Sequence, residues 1–271
     1  MIFFDAHVHI YPAYSLDALL SAFAGHAERL VPGAENLAMA VMLRDFQPTL
    51  ASVLTPASET SRWRLEPSAE GAFAATDGKR RLFLLPARQV AAKERIEALG
   101  LFGESLVPDG LPLAETIAKL RSAGFQPVLA WGLGKWLFKR APLVDAAISD
   151  AVRARKPLLV GDSALRPTFW PTPRPYRRAK AQGLRVIYGS DPLPRAGDEH
   201  CAGRYATLLD APFDPHAPAT SLLAALSAPS ANPLAIGRRH GVTAVLVLSG
   251  ETQPADVEAA DPADRPDFLF P

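Results

Sequence analysis

The chain has 271 residues, with 29 Lys and Arg against 28 Asp and Glu, so its formal net charge is +1. That length fits one large α/β domain, and the even charge balance gives no reason to expect nucleic acid or an anionic membrane as a partner; any cationic site must be local. A single cysteine, Cys201, excludes an intrachain disulfide framework and a cysteine-built zinc cluster, which suits a reducing cytoplasm.

The chain opens MIFFDAHVHIYP. Asp5, His7 and His9 interrupt the apolar run that an export signal needs, and no stretch approaches the roughly 18 apolar residues of a membrane-spanning helix, so a soluble, cytoplasmic protein is expected. Read as a strand with side chains alternating between faces, the opening puts Phe3, Asp5, His7 and His9 on one side and Ile2, Phe4, Ala6, Val8 and Ile10 on the other. A carboxylate and two imidazoles within reach of one point form a ligand set for a metal ion. Residues 15–30 follow with Leu16, Leu19, Leu20, Phe23, Ala27 and Leu30 at helical spacing and Ser15 as N-cap, which carries His26 away from any chemistry. NLAMAVMLRD reads as a second strand ending at Arg44 and Asp45. The polar stretch near 47–80 has weak periodicity and is expected to be a loop, either passing over a barrel mouth or poorly ordered.

RRLFLLPARQV reads as a third strand ending at Arg88 and Gln89, extended or accompanied by RIEALGLF. A rhythm of helix and strand then sets in: LPLAETIAKLRSAGF into QPVLAWG, APLVDAAISDAVRARK into KPLLVGDS, and PRPYRRAKAQG into LRVIYGSDP. Such alternation predicts a parallel sheet covered by helices, most naturally an α/β barrel, with a doubly wound open sheet as the competitor. HAPATSLLAALSAP is expected to be helical in part, NPLAIGRRHG a short helix with Gly241 beyond its end, TAVLVLSG a last strand, and residues 251–271 an acidic, proline-containing tail.

In α/β barrels chemistry sits at the C-terminal ends of the strands. Those ends offer His7 and His9, Arg44 and Asp45, Arg88 and Gln89, Trp131, Asp162, and Asp191. LLVGD and VIYGSD share a syntax of apolar strand, then a glycine that permits close approach, then an aspartate. WGLGKW is not a phosphate loop, since Leu129 and Trp136 stand where that motif needs glycine and a hydroxyl. Between LLVGD and the next strand, Arg166, Arg174, Arg177 and Arg178 lie among Phe169, Trp170 and Tyr176: either an anion clamp or the basic outer face of a helix. His200 beside Cys201 does not make a thiol nucleophile, because sequence neighbours rarely face one another productively.

DAHVH resembles the DxHxH opening of the PHP (polymerase and histidinol phosphatase) family, RQVAAKERIEALGLF is similar to its strand ending in glutamate, LPLAETIAKLRSAGFQPVLAWG to its helix and strand ending in Ala-His-Pro, and GSDPL to its late Gly-Ser-Asp-x-His element. DAHVH is also shared with amidohydrolase barrels. The resemblance runs from residue 1 to about 195. It implies a distorted (β/α)7 TIM-like barrel of PHP type in a single domain, residues 1–250, with divalent metals and phosphoester hydrolysis. Carried over, His7, His9 and Asp191 match metal ligands, whereas Gln89, Trp131 and Leu193 replace a glutamate and two histidines, and no histidine follows the second strand, where Asp45 is the nearest candidate. An amide, an indole and an alkyl side chain bind a hard cation weakly or not at all, so one ion of zinc, manganese or iron is expected rather than a cluster. His7, His9 and Asp191 are its expected ligands, with Asp162 or Asp5 as a fourth, Asp162 or Asp191 as the base, and Arg166, Arg88 and Lys135 as holders of a small anionic substrate. The competing expectation is a barrel that has lost catalysis and serves as a binding or partner protein.

Overall fold

A computed structural model describes residues 1–44, 46–54, 62–132 and 134–240. The expectations for Asp45, TAVLVLSG and the tail 251–271 lie outside the described residues. Among the described residues, eleven strands form one mixed sheet: β1 (Ile2–Val8), β2 (Asn36–Leu43), β3 (Arg64–Pro67), β4 (Phe73–Thr76), β5 (Arg81–Ala91), β6 (Glu97–Leu101), β7 (Gln126–Ala130), β8 (Leu159–Ser163), β9 (Val186–Gly189), β10 (Tyr205–Leu209) and β11 (Leu234–Gly237), in the order β11-β10-β1-β2-β5-β6-β7-β8-β9, with the β3–β4 hairpin attached to β5. The helices are α1 (Leu16–Leu30), α2 (Leu50–Leu54), α3 (Leu113–Ser122), α4 (Ala141–Arg153), α5 (Arg174–Ala181) and α6 (Pro218–Ser227). No described helix is long and apolar enough to cross a membrane.

The far edge of the sheet returns to its start. The Asp191 amide donates to the His7 carbonyl at 2.8 Å, and the Thr207 hydroxyl bridges the backbone of Tyr188, accepting from its N–H at 2.8 Å and donating to its carbonyl at 3.1 Å. The result is a nearly closed barrel. Its bore is filled by Ile2, Phe4, Ala6, Phe83, Leu85, Val128 and Ile187, with Leu222 of α6 in the same cluster. A separate cluster joins Phe3, Val8, Leu37, Met39 and Leu84 to Leu19, Leu20 and Phe23 of α1 on the outside. Trp131, Val160 and Tyr176 belong to a third, with Ile117 of α3 and Val144 and Ile148 of α4.

The strand directions differ from the repeated βα pattern that the sequence predicts. β1–β2, β2–β5, β7–β8 and β8–β9 are parallel, but β6 runs antiparallel to both β5 and β7. The reason is the connection. β5 and β6 are joined by a tight turn in which the Ala92 amide donates to the Ile96 carbonyl at 2.9 Å, whereas a parallel neighbour needs a crossover of a dozen or more residues. Two further stretches depart from expectation. The region 47–80 carries α2 and the β3–β4 hairpin, and the segment expected as a helix near Pro233 is instead β11, drawn into strand by antiparallel pairing of Leu234–Gly237 with Tyr205–Leu208. Between-strand hydrogen bonds override local propensity there.

β1 is not a regular strand. Ile2 to Asp5 pair in step with Asn36 to Met39, but Val8 pairs with Val41, so three residues on β1 span two on β2. The extra residue is a bulge, which switches the side-chain parity of everything after it. Phe3 and Val8 both pack outward against α1, while Ile2, Phe4 and Ala6 face the bore. Asp5 therefore does not share a face with His7 and His9. It lies fully buried on the outer side and accepts hydrogen bonds from the Ser190 amide at 2.9 Å, the Ser190 hydroxyl at 2.6 Å and the Gly203 amide at 2.8 Å. Burial pushes its pKa up to about 6, against the opposing pull of Ser190.

Gly189 lets β9 approach the bulge. A Cβ there would sit 2.6 Å from both the Cβ and the amide nitrogen of His7. Gly189→Ala is expected to destabilise the protein by about 1–3 kcal/mol, the usual cost of overpacking a tight contact, read as a lower urea midpoint; an unchanged midpoint contradicts the barrel closure described above.

Candidate metal centre

The C-terminal ends of β1, β5, β8 and β9 meet the N-terminal end of the reversed β6 at one mouth of the barrel. His7 and His9, beyond the bulge, have their Nε2 atoms 3.1 Å apart. Asp191 Oδ1 lies 3.5 Å from His7 Nε2 and 3.8 Å from His9 Nε2, and Gln89 Oε1 lies 2.9 Å from His7 Nε2. Two imidazole nitrogens, a carboxylate oxygen and an amide oxygen thus converge on one point with few protons to share, and a cation is what such a set of lone pairs fits. Ligand atoms bonded at about 2.05 Å in tetrahedral array stand roughly 3.3 Å apart, close to the separations observed. His7, His9 and Asp191 form the group of potential ligands found among the described residues.

The electrostatics agree with that fit. Burial holds the His9 pKa well below its ordinary value, helped by the neighbouring His7 and Arg44, so the ring is neutral and its lone pair is available. Burial also raises Asp191, opposed chiefly by His7. Asp191 adopts a left-handed backbone with φ of 51°, a conformation that aspartate tolerates at some cost, and it is held there by the His7 carbonyl and by the Ser163 hydroxyl, which donates to Oδ2 at 2.9 Å. Ser163 is a positioning residue that the sequence reading did not single out, although it directly follows the aspartate of LLVGD.

Glu97 was missed as well. The reversal of β6 brings its carboxylate to the mouth, where it accepts from Gln89 Nε2 at 3.2 Å and pairs with Lys135. This chain of contacts turns the Gln89 amide so that its oxygen, not its nitrogen, faces the histidines. From sequence, Glu97 could have been found only by recognising that Lys93–Ile96 forms a tight turn rather than part of a crossover.

Four residues expected to act on substrate are committed elsewhere. Asp162, expected as a base or fourth ligand, is buried and receives Arg166 Nε at 2.8 Å, Arg166 Nη2 at 2.6 Å and the Tyr205 hydroxyl at 3.1 Å. Arg166, expected to hold an anion, spends its remaining nitrogen on the Trp170 carbonyl at 3.0 Å; burial works against its charge, but the bonds to Asp162 outweigh this and raise its pKa. Arg88 is wholly buried and donates to four backbone carbonyls, of Arg44, Gln47, Glu104 and Ser105, which ties the loops at the mouth together. Lys135 is taken by Glu97. Arg174, Arg177 and Arg178 lie exposed on the outer face of α5, Trp131 packs in the cluster beneath α3 and α4, and burial raises the Cys201 thiol, leaving it a poor nucleophile.

Among known proteins, no family model matches this chain and no curated protein sequence matches it. The chain is similar in fold to PsfC. That crystal structure, from Pseudomonas syringae PB-5123, superposes with a TM-score of 0.54 at 12% identity, covering 92% of this chain and 95% of that one. The lesion-specific endonuclease PfuEndoQ from Pyrococcus furiosus gives 0.46 at 13% identity, and an endonuclease Q complex with a 27-mer duplex substrate bearing an abasic lesion at the active site gives 0.47 at 13%; this chain spans 66% and 67% of their lengths. At such identities the likeness is one of fold. The expectation that nucleic acid is excluded as a partner is withdrawn, because it rested on the overall charge balance alone. A net charge of +1 sums over the whole surface and says nothing about the field at one mouth.

Arg166→Met is expected to cost about 3–5 kcal/mol by leaving the buried Asp162 carboxylate without its cation, while the double variant Arg166→Met/Asp162→Asn recovers part of that loss. Urea midpoints of the parent, Arg166→Met, Asp162→Asn and the double variant check this. Equal losses in single and double variants would return Asp162 to the list of functional groups.

Proposed function

We propose that the protein is a metal-dependent hydrolase of the PHP or amidohydrolase type, holding one divalent ion, zinc, manganese or iron, through His7, His9 and Asp191, and acting on a phosphoester or related small anionic substrate. The convergence of those three side chains at the C-terminal mouth of a nearly closed barrel carries this reading. When bound, such an ion supplies Lewis acidity toward an ester oxygen and toward water. His7 and His9 bring imidazole nitrogen donors. Asp191 turns Oδ1 to the histidines, and Oδ2, steadied by Ser163, is the carboxylate oxygen nearest to accept a proton from attacking water. In hydrolysis the water oxygen joins phosphorus, the ester oxygen departs with a proton, and the filled bore beneath, whose residual void is about 10 Å³, forces entry from the outer mouth.

A second reading has its own support. With Asp162 locked to Arg166, and with Gln89, Trp131 and Leu193 in place of ionisable or lone-pair side chains, the mouth would serve a binding protein that no longer catalyses. Elemental analysis of protein purified without added metal separates the two. The hydrolase reading expects about one equivalent of metal, as a three-ligand site with open positions holds, lost in His7→Ala and in Asp191→Ala, together with metal-dependent release of phosphate from para-nitrophenyl phosphate. Protein that takes up neither zinc nor manganese on incubation would favour the binding role.

Gln89→Glu supplies an anionic oxygen where a neutral one stands, and is expected to tighten zinc at least tenfold in a competition titration with a chromogenic chelator, an effect of about 1.4 kcal/mol or more. Weaker zinc binding in that variant would show that the position does not face the ion.

A further inference from the structure

Above the metal centre lies a cleft of about 450 Å³, bounded by His9, Tyr11, Arg44, Phe46, Gln89 and Asp109. Sites for small organic ligands fall in this range of volume, roughly 300–1,000 Å³. Its walls hold more than a metal needs. Phe46 is 73% exposed, and its ring lies beneath the Arg44 guanidinium, with 5.4 Å between Cζ and the ring centroid. Arg44 is itself exposed and meets no carboxylate among the described residues, unlike Arg88 and Arg166, which are consumed by carbonyls and by Asp162. Its charge is felt at His9, one of the triad. Tyr11 stacks on His9 at 5.3 Å and 26° between planes, so aromatic surface continues from the metal ligand to the rim. The one carboxylate in the wall among the described residues, Asp109, is occupied by the Ala91 amide at 2.6 Å.

An unpaired guanidinium binds phosphate in bidentate fashion, and exposed aromatic rings beside it offer a face on which a planar ring stacks. We propose that this cleft takes a phosphoester carrying a planar ring, a nucleoside phosphate in chemical class, with the phosphate between Arg44 and the His7–His9–Asp191 centre and the ring against Phe46 and Tyr11. The proposal rests on the hydrolase reading for the identity of the reacting group, but the binding it requires does not need turnover. A free nucleotide and the terminal nucleotide of a strand share this chemistry.

Isothermal titration of the full-length zinc-treated protein with AMP, ribose phosphate, adenosine and a short single-stranded oligonucleotide tests it. AMP is expected to bind about tenfold more tightly than ribose phosphate, the worth of one base stacked on an aromatic ring, and more tightly than adenosine by a similar factor. Phe46→Ala brings AMP down to the level of ribose phosphate without altering zinc uptake, and Arg44→Met brings it down to the level of adenosine. An oligonucleotide that binds more tightly than AMP assigns the ligand to a strand end; one that binds equally or less assigns it to the free nucleotide. Equal affinities for AMP and ribose phosphate, no measurable AMP binding, or a ring preference untouched by Phe46→Ala overturns the proposal. If the protein takes up neither zinc nor manganese yet keeps the ring preference, the hydrolase reading falls and the cleft assignment stands.

Discussion

Everything at the mouth depends on the bulge between Asp5 and Val8. In a regular strand the parity of Phe3 would carry both histidines outward, under α1, where imidazoles would be buried against apolar groups without partners. The one extra residue turns them to the bore instead. What holds it is Asp5, whose carboxylate receives Ser190 twice and Gly203 once, tying the bulge to the segment after β9 and to the approach to β10. The same Ser190 precedes Asp191, so one buried carboxylate sets the position of both halves of the triad. Burial of that carboxyl is opposed by solvation, as its raised pKa shows, and its four hydrogen bonds, the one from the His7 amide included, offset part of the cost.

Closure of the barrel is a second consequence. β9 meets β1 not through a ladder but through a backbone bond from Asp191 to His7 and the contact of Gly189 with His7, while the Thr207 hydroxyl ties β9 to β10. A sheet sealed by so few bonds at its seam leaves the neighbouring backbone free to adopt the left-handed turn at Asp191, and the seam is where the ligands gather. The seam and the site are one feature.

Much of this was legible in the sequence, and the failures have physical causes. The apolar runs, the helix from Leu16 with its Ser15 cap, and the later helix–strand alternation all read directly, because each obeys its own period. His7, His9 and Asp191 were named together from their places at strand ends. The facing of Asp5 was misread, since alternation assumes a strand without bulges and a bulge has no mark in a lone sequence. Arg88 and Asp162 were misread for another reason. A polar residue at a strand end is equally suited to bind substrate or to tie loops, and only the partners decide: four carbonyls for Arg88, a guanidinium and two phenols for Asp162. β10 and β11 depend on pairings distant in the chain, which short-range propensity does not contain.

The charges at the mouth also argue for one ion rather than several. Each additional divalent cation in a confined site needs anionic ligands of its own, since cations held close together repel strongly where water is excluded. Glu97 already has the Lys135 ammonium, and Asp162 already has the Arg166 guanidinium. Among the described residues Asp191 remains, with two imidazoles and the neutral amide of Gln89. The side chains at Gln89, Trp131 and Leu193 fit this arrangement as a set: with the resident cations of Lys135 and Arg166 satisfying the other carboxylates, further anionic or imidazole ligands would have no second ion to hold.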